Sequence, residues 1–158
     1  MDNINSLITV LEDTPSLIVQ MVREIPPAIL KRRPAPGVWS AHEHACHLAE
    51  VHFLFFSRLD LMLRENHPVI KPYFPHIDDA EDALLKADLA EALERFGRER
   101  RLLVEKIKQL SPEDWTRTAE HGEYTHYSVF IMFRHLALHD MMHAYHIEEL
   151  LLKKDWAS

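Results

Sequence analysis

The stretch SVFIMFRHLALHDMMHAYHIEELLLKK, from Ser128 to Lys154, decides the fold class. It is long and rich in apolar residues, and it predicts a helix with Ser128 as its N-cap. The two lysines at its end suit the negative end of a helix dipole. The stretch also holds four histidines in twelve residues, from His135 to His146. It is therefore either part of a metal site or a core helix that happens to be rich in imidazoles.

An earlier apolar-periodic segment covers residues 6–25 and contains Pro15. Proline lacks the N–H group that an interior helical turn needs, so Pro15 is expected to interrupt the helix. Thr14 as N-cap, with Pro15 at the first helical position, would restart it. The prolines at positions 26 and 27 are expected to end this segment.

Two more helices are predicted between these segments. Ser40 followed by Glu43 is a capping box and begins a helix that is expected to end near Asn66. Asp88 can cap a third long helix over residues 88–110, where apolar residues recur at helical spacing. Four main helices with apolar faces predict an all-α protein, and a four-helix bundle buries such faces economically.

The connecting segments carry weaker signals. Residues 67–82 have the pattern of a loop with at most one helical turn, and residues 116–127 look irregular. Ser111 before Pro112 predicts a short capped turn. Because no alternating run of apolar and polar residues is long enough for a half-buried strand, no sheet is expected.

Composition limits the class of protein. The chain has 158 residues, 47% hydrophobic and 27% charged, which suits one soluble domain over residues 1–158. A net charge of −7 disfavours a nucleic-acid partner. The most apolar window is too short and too charged to span a bilayer, so no membrane association is expected. The lone Cys46 and the absence of a signal-like start favour a reducing, cytoplasmic location.

The 12 histidines are the unusual feature of the composition. Helix residues four positions apart lie about 6 Å from each other on one face, so two histidines at that spacing can ligate one ion. The last helix offers three such pairings, including one at three-residue spacing: His135 with His139, His139 with His143, and His143 with His146. The spacing alone leaves the choice among them open.

A third ligand has to come from another helix. The second helix offers four histidines, and one inward residue there can meet two inward residues of the last helix in a bundle. Three imidazoles with an open fourth position can bind water or substrate, and they suit zinc and nickel best. The four candidates are His42, His44, His47 and His52.

The stretch GVWSAHEHACHLAEVHFLFFSRL resembles the second-helix signature of the DinB-like family. The last helix resembles that family's final helix, with its His-Asp/Glu-x-x-His pattern. The two motifs occur in the same order, and the likeness extends over nearly the whole chain. The matching residues are Trp39, Ser40, Glu43, His47, Leu48, Arg58, His139, Asp140 and His143.

The resemblance implies an all-α four-helix bundle of the DinB/YfiT type, often a homodimer, with one divalent metal ion per chain. It assigns the metal to His47, His139 and His143. It also implies a small-molecule enzyme of the hydrolase or thiol S-transferase type, in which a low-molecular-weight thiol attacks an electrophile. The alternative is a non-catalytic, stress-related protein with a structural or sensory metal. The residues that would bind a substrate or thiol stay unassigned.

Several neighbours of these motifs have a simpler explanation. Glu43 is explained by its capping role, although it could also accept from a ligating imidazole or act as a base near the metal. Asp140 follows His139 and should point about 100° away from it, which favours a surface or dimer role. Cys46 is expected to be a buried structural thiol. The basic run RFGRERR, among glutamates, is expected to form a solvated helix face.

Three aromatic or imidazole side chains near these motifs carry weaker signals. Trp39 is expected to be a packing anchor. His121 could approach the mouth of the site from its loop. His146 stands where many members of the family have glutamine, and it could contact a metal ligand from behind or lie beside the site.

Overall fold

A computed structural model describes residues 2–74 and 82–154 of the chain. None of the described helices is long and apolar enough to cross a membrane. The elements in chain order are α1 (Asp2–Glu24), α2 (Pro27–Leu30), α3 (Ala41–Arg64), β1 (Val69–Ile70), α4 (Ala83–Lys86), α5 (Leu89–Lys108), α6 (Pro112–Thr116), β2 (Glu120–His121) and α7 (Val129–Leu152).

The four long helices form the predicted bundle. Helices α1 and α3 each pack against both α5 and α7, so the cyclic order is α1, α5, α3, α7. Two apolar clusters fill the bundle along its length. One contains Leu11, Phe133 and Leu136, and the other contains Ile18 and Phe96, all with no exposed area. Since α3 and α7 are neighbours, the two histidine-rich helices face each other.

The predicted caps are confirmed at each helix where a serine or aspartate was proposed. Ser40 accepts from the Glu43 N–H, and the Glu43 carboxylate accepts from the Ser40 N–H, which completes the capping box. Asp88 accepts from the N–H of Glu91 at the start of α5. Ser111 and Ser128 accept in the same way at the starts of α6 and α7.

The predicted interruption at Pro15 is wrong, because α1 runs through it without a break. A proline at this position leaves the carbonyl of Leu11, four residues earlier, without its usual donor. The buried Arg100 of α5 replaces that donor, with Nη1 donating to the Leu11 oxygen at 3.2 Å. The Thr14 hydroxyl donates back to the Val10 carbonyl at 2.6 Å instead of capping a new helix.

The expectation of no sheet is also wrong, in a small way. Strand β1 pairs in parallel with β2, with Val69 opposite Glu120 and Ile70 opposite His121. Two residues per strand are too few to produce an alternating pattern that sequence could show. Residues 75–81, part of the predicted loop, lie outside the described residues, and the single turn α4 follows them.

Candidate metal centre

Three imidazoles converge between α3 and α7. Nε2 of His139 lies 3.0 Å from Nε2 of His47 and 3.1 Å from Nε2 of His143. One nitrogen of each ring lies within 4.8 Å of the other two. In the described part of the chain, this is the only group of three histidine, cysteine or acidic side chains that converges in this way. The structure thus brings together the three residues that the family resemblance had assigned.

The spacing of these nitrogens fits one small divalent ion. With metal–nitrogen bonds of about 2.0–2.1 Å, the nitrogens of a tetrahedral site lie about 3.3 Å apart. The observed separations are shorter by a few tenths of an ångström, so slight outward movement of the rings would accommodate an ion. Three imidazoles are a donor set that zinc and nickel accept well.

Burial keeps two of these rings in the form that binds metal. Burial, together with the nearby His139 and His44, lowers the pKa of His47 to about 3. Burial and the neighbouring histidines also lower the pKa of His143 far below its usual range. Both rings are therefore neutral near pH 7, and few protons have to leave when an ion binds.

His44 holds the outer nitrogen of one candidate ligand. Its Nδ1 lies 2.8 Å from Nδ1 of His143, while Nε2 of His143 faces the convergence point. An imidazole that binds metal through Nε2 carries its proton on Nδ1, so His143 would donate to His44. His44 was a candidate third ligand by sequence, and the structure places it behind the site instead.

The remaining histidines of the two helices point elsewhere. His42 Nε2 lies 3.6 Å from the Cys46 sulfur, and His52 accepts from Arg100. His146 stacks on His44 and contacts Glu149, which confirms a position beside the site. His135 lines the cavity next to the site.

Two charged residues expected at the surface are buried. Asp140 has no exposed area, so the predicted surface or dimer role is wrong. Its Oδ2 accepts from Arg100 Nη1 at 2.6 Å. Arg100 itself is 1% exposed, so the basic run RFGRERR is not uniformly solvated. The signal for Arg100 was its place in the apolar stripe, four residues after Phe96 and three before Leu103.

The expectations for Glu43 and Cys46 hold. Glu43 caps α3 and accepts from Arg33 Nε at 3.0 and 3.1 Å, which explains its burial without the metal site. Burial alone would raise the pKa of Glu43, but hydrogen bonds from Arg33 and Ser40 lower it overall. Burial raises the pKa of Cys46 to about 11, so this thiol is neutral and structural.

A cavity of about 300 Å³ adjoins the three histidines. Trp39 forms part of its wall, and its ring centroid lies 4.9 Å from that of His47. His121 reaches the cavity from β2, as sequence had suggested for its loop. The cavity also contains one arginine and several tyrosines, which sequence reasoning had not connected to the site: Arg58, Tyr73, Tyr124 and Tyr127.

The four-helix bundle and the three converging histidines define a helical-bundle protein with a candidate metal site. Comparison with known proteins gives its family. The chain belongs to the DinB superfamily, whose family model matches residues 11–147. A protein of Oceanobacillus iheyensis is 32% identical over 97% of this chain and 88% of its own length. YfiT of Bacillus subtilis is 27% identical over 95% of this chain and 85% of its own length. Both carry the name "putative metal-dependent hydrolase".

Two solved structures share the fold. The structure of Bacillus subtilis YfiT, described as an unusual four-helix bundle, matches 98% of this chain and 89% of its own with a TM-score of 0.85 and 23% identity. The DinB-like protein YjoA from the same organism matches 97% of this chain and 94% of its own with a TM-score of 0.61 and 14% identity. The predicted four-helix bundle of the DinB/YfiT type is therefore confirmed.

Proposed function

We propose that this chain is a metal-dependent enzyme that acts on a small electrophilic substrate in the cavity beside His47, His139 and His143. The observation that carries the proposal is the convergence of three Nε2 atoms next to a cavity of about 300 Å³. A divalent ion bound there lowers the pKa of water or of a low-molecular-weight thiol and so supplies a nucleophile near neutral pH. Water as nucleophile agrees with the names of the relatives, and a thiol would give an S-transferase.

The cavity residues suggest how a substrate is held. Arg58 lines this cavity, and its Nη2 donates to the Lys71 carbonyl at 2.8 Å. A guanidinium in a partly apolar cavity suits an anionic group on the substrate. Burial lowers the pKa of His121 and of His135, so both rings are neutral near pH 7. Nδ1 of His121 accepts from the Glu123 N–H at 3.1 Å, so Nε2 of this ring carries the proton and is a donor. Trp39 and Tyr124 provide flat surfaces against which a planar substrate can pack.

Replacing His139 by alanine is expected to abolish metal retention. Its Nε2 lies 3.0 Å from that of His47 and 3.1 Å from that of His143, so its loss leaves only two of the three ligands. Elemental analysis of protein purified without a histidine tag should find one zinc or nickel ion per wild-type chain and none in His139→Ala. His126→Ala, in an exposed loop, is the matched control and should retain the ion.

If the wild type neither retains an ion nor takes up added zinc or nickel, the metal proposal is wrong. With the ion bound, the loaded protein should be offered anionic esters and amides, and separately electrophiles with added thiol. Turnover without thiol assigns a hydrolase, and turnover only with thiol assigns an S-transferase. Absence of both, at a tight stoichiometric site, favours the non-catalytic metal protein.

We also propose that the chain forms a homodimer through the outer face of α7. Leu138, Met141 and Tyr145 are 60%, 46% and 63% exposed and follow one another at helical spacing. An apolar stripe of this kind on a charged surface is typical of a contact with another chain.

Leu138→Glu with Met141→Glu is expected to convert a dimer to a monomer in sedimentation velocity. Leu102→Glu, at a site that is 58% exposed on α5, should leave the mass unchanged. A wild-type monomer at micromolar concentration would contradict the proposal.

A further inference from the structure

A chain of buried polar contacts runs from α1 to Asp140, the residue after His139. Arg100 donates to the Leu11 carbonyl, to His52 Nε2 at 2.9 Å and to Asp140 Oδ2 at 2.6 Å. Since Pro15 leaves the Leu11 carbonyl free, the guanidinium is held by contacts from three different helices. A buried ion pair fixed in this way costs desolvation energy, so it needs a reason beyond stability.

The free oxygen of Asp140 faces the candidate metal ligand. Oδ1 of Asp140 lies 3.9 Å from Nδ1 of His139. Both atoms are fully buried, and neither has a hydrogen-bond partner. A buried carboxylate oxygen and a buried ring nitrogen without partners are costly, and a small turn of the imidazole would join them. Arg100 holds Oδ2, so the carboxylate cannot rotate away.

We infer that Asp140, held by Arg100, is the positioning residue that keeps the proton of His139 on Nδ1 and so leaves Nε2 free for the metal ion. The inference rests on the proposed metal site, because it assigns Asp140 a task only if His139 is a ligand. An imidazole that ligates through one nitrogen usually donates from the other to an oxygen, and a carboxylate is the strongest such acceptor. His44 has the equivalent place behind His143, so two of the three rings have an identifiable partner.

Asp140→Asn tests this inference because the amide has a donor as well as an acceptor. Arg100 would attract the amide oxygen, which turns the NH₂ group toward His139. The ring would then keep its Nδ1 lone pair toward the amide and carry its proton on Nε2, which blocks metal binding. We expect zinc affinity, measured by chelator competition, to fall about 10–100-fold. Asp60→Asn, an exposed aspartate on α3, is the matched control and should bind zinc like the wild type.

Nitrogen-15 shifts of the imidazoles in metal-free protein give a second result that does not depend on an ion. We expect His139 to carry its proton on Nδ1 in the wild type and on Nε2 in Asp140→Asn. If the ring stays protonated on Nδ1 and zinc affinity changes less than twofold, Asp140 is only the counter-ion of Arg100. If the wild type binds no metal, the proposed function fails, while the tautomer in each protein still decides the role of Asp140.

If Asp140→Asn does not fold, the double variant Arg100→Met with Asp140→Leu replaces both charges by apolar groups. It retains the packing but has no acceptor for His139. A folded double variant should bind zinc about 10–100-fold more weakly. Unchanged zinc affinity in that variant would overturn the inference.

Discussion

Arg100→Met is expected to lower the free energy of unfolding by about 3–5 kcal/mol, because it leaves the buried Asp140 carboxylate without a counter-charge. The same change removes the donors to His52 Nε2 and to the Leu11 carbonyl, which add to the loss. Urea denaturation of metal-free protein, followed by circular dichroism, measures this difference without interference from ion binding.

Three further variants separate the causes. Arg101→Met, at the neighbouring exposed position, should change stability by less than about 0.5 kcal/mol. Adding Asp140→Leu to Arg100→Met should recover most of the loss, because no isolated buried charge remains. Pro15→Ala restores an N–H for the Leu11 carbonyl, so Arg100→Met should cost less in that background. A loss below 1 kcal/mol for Arg100→Met alone would show that the pair does not stabilise the bundle.

Helix starts could be predicted from sequence because the capping interaction is local. Each capping side chain accepts from an N–H three residues later, as Ser40, Asp88 and Ser128 do. The geometry therefore depends on a few consecutive residues and hardly on the rest of the fold. The apolar periodicity of the same segments indicated which faces would be buried, and hence the bundle.

The continuity of α1 could not be predicted because its cause lies in another helix. Proline normally interrupts a helix unless something else satisfies the carbonyl it leaves free. Here that donor is Arg100, which lies 85 residues after Pro15 in the sequence. No residue near Pro15 indicates this contact. Arg100 was itself assigned to a solvated face since charged residues are rarely buried without a partner. The partner, Asp140, lies on a third helix. Arg100 and Asp140 can both be buried because each neutralises the charge of the other.

The candidate site shows the same division between local and long-range information. Spacing along α7 left three histidine pairings open, and the family resemblance, not the spacing, selected His139 with His143. The resemblance also assigned His47 of α3, and the structure adds that His47 faces this pair while His44 turns behind it. Those orientations depend on how α3 is rotated against α7, which is set by packing of the whole bundle.

Adding a divalent ion to metal-free protein is expected to raise the melting temperature by about 8–16 °C at a free ion concentration 1,000 times the dissociation constant. At that concentration an ion that binds only the folded state adds about 4.1 kcal/mol, and each kcal/mol shifts the melting temperature of a chain of this size by about 2–4 °C. Differential scanning calorimetry with and without a chelator gives the shift. His47→Ala removes the ligand that α3 contributes, so this variant should show almost none of the shift in melting temperature.

The metal-free protein is nevertheless expected to unfold cooperatively, since the core does not depend on the ion. Leu11, Phe96, Phe133 and Leu136 are fully buried in clusters that extend along the bundle on either side of the histidines. A metal that is not needed for folding can leave a coordination position open to the cavity, as a catalytic metal must. A metal-free chain with no cooperative transition would instead identify the ion as structural and favour the non-catalytic alternative.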